Sequence, residues 1–490
     1  MTGVEHVELE TPFGHLRGAR MEGVTAFRRV PYAEAPVGPL RFEMPSAPPR
    51  WQGVRDATAA GPVPPQNPSR LDLAIGTYDV QRSEDCLHLD IWTGQAAGAR
   101  APVLVFIHGG AFMTGGGSLP CYDGGVLAKQ NGLVVVNITY RLGILGFFPH
   151  PALGRLNLGL HDQVAALRWI GEAISAFGGD PQRITVIGQS AGGLSIAALA
   201  ASEAGPKLFN RAILMSAPVG IKLRTVEQAQ PITDAILNAL GVAAGDVDKL
   251  RTLPIDQMLE GLWSLQKRGP AIPGETTPPF MPVLDDSLVQ RDPSESVQMG
   301  RASWCDMMIG VTREEHAAFS FSNSSLDEMS EDALEAVIRS LGDDEPGRTL
   351  SRLRSARVPA TPRTLLGDFY TERDFTKQSL EIAGTQSRLG RKAFMYWFDW
   401  QSPVPELGAC HCIDLPFLFG NFDVWQAGAM VRGADLREMQ ELSRLFRGAI
   451  AEFAATGDPN GQGLPVWPAY AMEQAILHFD RRIAASRHIS

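Results

Sequence analysis

Apolar residues along the chain fall into short continuous runs separated by glycine- and proline-rich stretches, alternating with longer segments that repeat at helical spacing. The runs at 103–107 and 133–140, and the β-branched run Ile184-Thr185-Val186-Ile187, have the unbroken apolar character of strands buried on both faces. Residues 160–177 place Leu160, Val164, Leu167, Ile170, Ile174 and Phe177 on one helical face, and Gly178-Gly179-Asp180-Pro181 ends that helix. Strand, helix, strand, a small-residue helix after 190 and a further strand at 212–215 predict right-handed crossovers and a mostly parallel central sheet flanked by helices. Glycine-punctuated segments at 7–9, 15–19 and 24–28 predict antiparallel strands at the start. Shorter strands are predicted at 87–92 and 307–310, a final buried strand at 393–400, and helical insertions over 221–265 and 325–390. A last helix is predicted over 434–455. No linker divides the pattern, so residues 1–490 are expected to form one elaborated domain.

Two proline- and glycine-rich stretches, 31–68 and 269–282, read as loops, and the long first one is of the kind that covers something. With 44% hydrophobic and 20% charged residues, the composition is that of an ordinary globular protein. The net charge of −10 provides no footprint for nucleic acid or an anionic membrane. Residues 1–30 hold no signal-like apolar segment, no run is long enough to span a membrane, and the five cysteines fit reduced thiols, which together predict a cytoplasmic protein. Cys410-His411-Cys412 is the one metal-like cluster, and adjacent residues converge poorly on a tetrahedral ion; neither metal nor cofactor is expected.

The chemistry centres on Gly188-Gln189-Ser190-Ala191-Gly192 between the 184–187 strand and the following helix. A serine at such a corner, with glycines two residues to either side, has the setting of an exposed nucleophile. The buried strand at 103–107 runs into His108-Gly-Gly-Ala-Phe-Met-Thr-Gly-Gly-Gly117. With no lysine in the phosphate-loop position, this loop is better suited to aiming backbone amides, those of Gly110 and Ala111, at a developing oxyanion. A serine needs a base and the base an orienting acid. Thr312-Arg-Glu-Glu-His316 follows a predicted strand, and of the ten histidines His411 alone lies on a loop just past the 393–400 strand. The chain order serine, acid, histidine is that of the α/β-hydrolase fold. His108 reads as a structural hydrogen bonder.

These motifs carry a resemblance across nearly the whole chain. Phe27-Arg-Arg-Val-Pro-Tyr-Ala33, Ser83-Glu-Asp-Cys-Leu-His-Leu-Asp-Ile-Trp92, His108-Gly-Gly-Ala-Phe112, Phe177-Gly-Gly-Asp-Pro181, the Ser190 segment and Gly408-Ala-Cys-His-Cys-Ile-Asp-Leu-Pro-Phe417 resemble the type-B carboxylesterases. That family includes bacterial p-nitrobenzyl esterases, animal carboxylesterases and cholinesterases. The resemblance implies Ser190 as nucleophile, Glu315 as acid with Glu314 as its rival, His411 as base, and Gly110, Ala111 and Ala191 as oxyanion donors. Phe112, Gln189 and Phe319 are candidate pocket residues. The family's acid is commonly followed by glycine, where this chain has His316, and Gln189 stands where many members carry glutamate. No tryptophan lies between Trp51 and Trp92, where cholinesterases place a cation-binding platform, and Cys86 has no upstream cysteine to pair with. The expected activity is hydrolysis of small to medium neutral carboxylic esters through an acyl-enzyme, with no nucleic-acid or membrane partner. Amide or carbamate hydrolysis on the same triad, and a catalytically silent binding protein, are the alternatives.

Overall fold

A computed structural model describes residues 5–267, 273, 276–285, 287–471 and 473–487; part of the predicted 269–282 loop lies outside these residues. Thirteen strands form one sheet: β1 (Glu5–Thr11), β2 (Gly14–Met21), β3 (Val24–Pro31), β4 (Val54–Asp56), β5 (His88–Thr93), β6 (Ala101–Ile107), β7 (Val134–Ile138), β8 (Gly179–Gln189), β9 (Arg211–Met215), β10 (Asp306–Thr312), β11 (Ala393–Phe398), β12 (Ala475–Phe479) and β13 (Ala484–Arg487). Their order is β1-β2-β3-β5-β7-β6-β8-β9-β10-β11-β12-β13, with β4 beside β2. From β7 to β12 every pairing is parallel. The strands before β7 meet as antiparallel neighbours, β4 on β2 excepted.

The central strands are predominantly apolar because both faces are covered. On β6, Val103, Val105 and Ile107 enter the core on one face, and Leu104 and Phe106 enter the core on the other. Helix Leu158–Ala173 packs its apolar stripe into the first core. Helix Leu436–Thr456 sends Met439, Leu442, Phe446, Ile450 and Phe453 into the second. Asp435 caps that helix by accepting from the Arg437 and Glu438 amides, and Gly457, at φ 79°, ends it. The 325–390 insertion is helical; its residues to 370 fold around a small core of their own, with Leu334, Ile338, Leu350, Leu365 and Tyr370 at its centre, and Phe375, Ile382 and Ala383 join the first core.

One expectation is corrected. The strand at 393–400 is not the last buried strand, since β12 lies beside it and β13 closes the sheet edge. A five-residue run interrupted by His478, and an exposed Ala-Ala-Ser-Arg segment, give almost no periodic signal. Among the described residues no helix is long and apolar enough to cross a membrane. The long 31–68 loop does reach over the glycine-rich loop. Gln66 accepts from the Gly115 amide at 2.7 Å and donates to the Gly115 carbonyl at 2.8 Å.

Candidate active site

Ser190 sits between β8 and helix Ala191–Ala200 at φ 57°, ψ −123°, a conformation costly for any residue with a side chain. Its amide is tied to the Met215 carbonyl at 2.8 Å, and its carbonyl accepts from Leu194 at 2.9 Å. The flanking glycines are steric necessities. A Cβ on Gly188 would lie 2.5 Å from the Gly192 backbone, and one on Gly192 only 2.0 Å from the Ile107 carbonyl oxygen. Sheet and helix therefore approach closely enough to hold Ser190 at the crest of the turn.

Ile107 pairs with Gly188 in the sheet, so the loop after β6 begins beside the Ser190 turn. Gly110, Ala111 and Phe112 run consecutively at φ 105°, 56° and 61°. The amides of Met113 and Thr114 both return to the Gly110 carbonyl, at 2.9 and 3.0 Å. Among the described residues the N–H groups of Gly110, Ala111 and Ala191 have no protein acceptor. A Cβ on Gly110 would lie 2.0 Å from the Thr114 carbonyl oxygen, so glycine is required for this turn. His108 supports the loop from beneath. Its Nδ1 bonds to the Gly109 carbonyl at 2.7 Å, its ring stacks on Tyr140 at 4.4 Å, and burial pulls the imidazole down to about 4. The Phe112 ring lies in the core against Phe147, at 4.7 Å.

Beyond β10, Glu314 and Glu315 point in different directions. Glu315 is fully buried; it accepts from the Thr312 amide at 2.7 Å and from His411 Nδ1 at 2.5 Å. Glu314 instead meets Arg357 at 2.7 Å and the Ala409 amide at 2.7 Å, while its own amide donates to the Ala409 carbonyl at 3.0 Å. Glu314 thus anchors the loop that carries His411, and Glu315 orients the imidazole. His316, in the place of the family's glycine, is buried and stacks on Tyr370 at 4.8 Å. The loop beside the acid is thereby packed against the helical insertion.

Phe319 and Phe375 flank the His411 ring at 5.0 and 5.2 Å. With Nδ1 donating to Glu315, Nε2 is left as an acceptor. It faces the Gln189 amide nitrogen at 3.2 Å, and no hydrogen bond joins it to Ser190. Glutamate at 189 could not donate this bond, so the glutamine noted in the sequence bears directly on the His411 imidazole.

A further carboxyl was not legible in the sequence. Asp414, three residues after His411, is fully buried; Tyr396 donates to its Oδ2 at 3.2 Å, and Oδ1 has no partner. Burial, and then the charge of Glu315, push Asp414 up to about 7. In the unfolded chain an aspartate ionises near ~3.9. Between these values the folded protein keeps a proton that the unfolded chain has lost, so this group's contribution is full at low pH and disappears as pH rises through the folded value. Asp414→Asn removes that dependence. Its unfolding free energy should match the wild type near pH 4 and exceed it at pH 8, by at most about 4 kcal/mol. Urea titrations across this range check it, and a pH-independent difference would contradict it.

Helices on both faces of the sheet, and the parallel order around β8, make the chain an α/β-hydrolase. More narrowly, the carboxylesterase family profile matches residues 5–489, and the chain belongs to that family. It is 37% identical over 474 residues to a phenmedipham hydrolase from Pseudarthrobacter oxydans, covering 95% of this chain and 94% of the relative. It is 36% identical to the para-nitrobenzyl esterase of Bacillus subtilis, covering 96% and 93%. The crystal structure of the Geobacillus stearothermophilus carboxylesterase EST55 superposes with a TM-score of 0.87 at 37% identity, covering 98% and 97% of the two chains. The protein is a serine carboxylester hydrolase. Among the described residues no three His, Cys, Asp or Glu side chains gather as metal ligands would.

Proposed function

We propose that Ser190, His411 and Glu315 form the catalytic triad and that the amides of Gly110, Ala111 and Ala191 form the oxyanion hole. The observation that carries this reading is the buried His411–Glu315 pair at 2.5 Å; a neutral imidazole that donates Nδ1–H to this carboxylate presents Nε2 as an acceptor. In the resting enzyme the Gln189 amide occupies Nε2, and proton transfer begins when Ser190 Oγ takes its place. Ser190 then attacks the ester carbonyl, His411 accepts its proton, and Glu315 stabilises the imidazolium. The three unpaired amides bind the tetrahedral oxyanion, His411 protonates the departing alcohol, and water repeats the sequence on the acyl-enzyme.

Small to medium neutral esters are the proposed substrates. Apolar Phe319 and Phe375 beside His411, and an uncharged Gln189 below it, favour neutral groups. The five cysteines are buried and unpaired, which supports a reducing, cytoplasmic setting. Amide or carbamate cleavage requires His411 to protonate a nitrogen leaving group, and one relative is named for phenmedipham hydrolysis. Steady-state kinetics on p-nitrophenyl esters of increasing acyl length, a p-nitrobenzyl ester, phenmedipham and a matched anilide test the assignment. Esters should exceed the anilide by orders of magnitude in kcat/KM; the reverse order would replace this reading with the amidase one.

A further inference from the structure

The far end of the sheet carries a second acid, imidazole and hydroxyl in series. Trp397 on β11 pairs in register with His478 on β12, and Ser486 on β13 pairs with Ile476, two residues from His478. Asp399 follows β11 and continues the ladder, its amide donating to the Phe479 carbonyl at 2.9 Å. Strand alternation therefore places Trp397, Asp399, His478 and Ser486 on one face, with His478 and Ser486 as diagonal cross-strand neighbours.

The side chains use that placement. Asp399, 7% exposed, meets His478 Nδ1 through Oδ2 at 2.5 Å. His478 Nε2 lies 2.7 Å from Ser486 Oγ. The Trp397 ring stands edge-on to the imidazole, with centroids 5.4 Å apart and planes at 86°. Among the described residues Asp399 Oδ1 is buried without a partner, and the His478 imidazole is the one side chain that hydrogen-bonds this carboxylate. Nδ1–H donating to Asp399 leaves Nε2 to accept the Ser486 hydroxyl proton, which is the arrangement that activates a serine. Every link of this relay is closed, whereas His411 Nε2 rests on Gln189. Ser486 is exposed on a four-residue edge strand and is open to reagents in solution.

We propose that Ser486 is a second nucleophile, a site of covalent modification by carboxylic and phosphoric esters with good leaving groups. Oγ bonds to the carbonyl carbon as its proton passes to His478 Nε2, beside Asp399. The tetrahedral intermediate then breaks its bond to the aryloxide, which leaves with the electron pair and takes up the proton from the imidazolium. The products are an acyl-Ser486 and a free phenol. With diisopropyl fluorophosphate, a P–O bond forms, fluoride leaves with the P–F electron pair, and the proton passes to solvent. An open strand edge gives no substrate binding to assist the reaction, so stoichiometric labelling is expected instead of turnover. The proposal does not depend on the roles assigned to Ser190, Glu315 or His411.

The test treats the Ser190→Ala protein with excess diisopropyl fluorophosphate and follows intact mass with time and adduct position by peptide mapping. The expected result is one adduct on Ser486, absent in Ser190→Ala/Ser486→Ala and formed about 10²-fold more slowly with His478→Gln or Asp399→Asn added. Ser486→Ala changes only an exposed edge residue. Within the single Ser190→Ala protein, labelling of Ser486 must also outpace that of the other exposed serines. Labelling no faster than theirs, or undiminished when a folded protein carries His478→Gln or Asp399→Asn, would overturn the proposal.

Discussion

Replacing Ser190 by alanine should lower kcat for p-nitrophenyl esters by about 10⁴ to 10⁶ while the protein stays folded. On the proposed mechanism the effect is large because covalent attack is lost outright, and transition-state binding by the amides of Gly110, Ala111 and Ala191 would account for the residual rate. Folding is expected to survive because Ser190 is fixed through its backbone, by its bonds to Met215 and Leu194, and alanine keeps both. Alanine must adopt the same φ of 57°. The strain at this turn is thus unchanged by the substitution. Matched circular dichroism and thermal melting alongside initial rates check the result. A loss of less than about tenfold would mean that another group starts the reaction.

Glu315→Gln should cost on the order of 10⁴ in kcat, because an amide can donate to Nδ1 and so favour the tautomer that protonates Nε2. The base would then face Ser190 with a hydrogen where it needs a lone pair. Glu314→Gln is the companion variant and should behave differently. Its carboxylate is engaged by Arg357, the Ala409 amide and Gln401, with no bond to His411. Losing that charge weakens the attachment of the His411 loop, so thermal stability should fall while the rate at low temperature falls far less than in Glu315→Gln. Comparable losses of kcat in the two variants, both folded, would contradict the assignment of Glu315 as the acid.

The sequence was readable where one physical requirement dominates a segment. β6, β7 and the 184–187 stretch of β8 are buried on both faces, so apolar and β-branched residues dominate them, and the glycines at 188 and 192 mark a close approach that tolerates no side chain. β12 and β13 lacked such a requirement: one is interrupted by a histidine and the other is exposed throughout. Neighbouring Glu314 and Glu315 could not be separated from their residue type, because backbone direction after β10 decides which of them reaches His411. Asp414 and the Gln189–His411 contact depend on burial and on residues 222 positions apart, which local pattern does not encode. The relay of Asp399, His478 and Ser486 was hidden for the same reason, since strand pairing alone brings it together.

The most direct test of Ser190 as the reacting group is intact-mass analysis after adding one equivalent of a fluorophosphonate to the wild-type protein, with ester turnover measured in the same samples. A single adduct mapped to Ser190, with activity falling in proportion to its occupancy, is the expected result. Activity retained with Ser190 fully labelled, or lost while the adduct resides elsewhere, would contradict it.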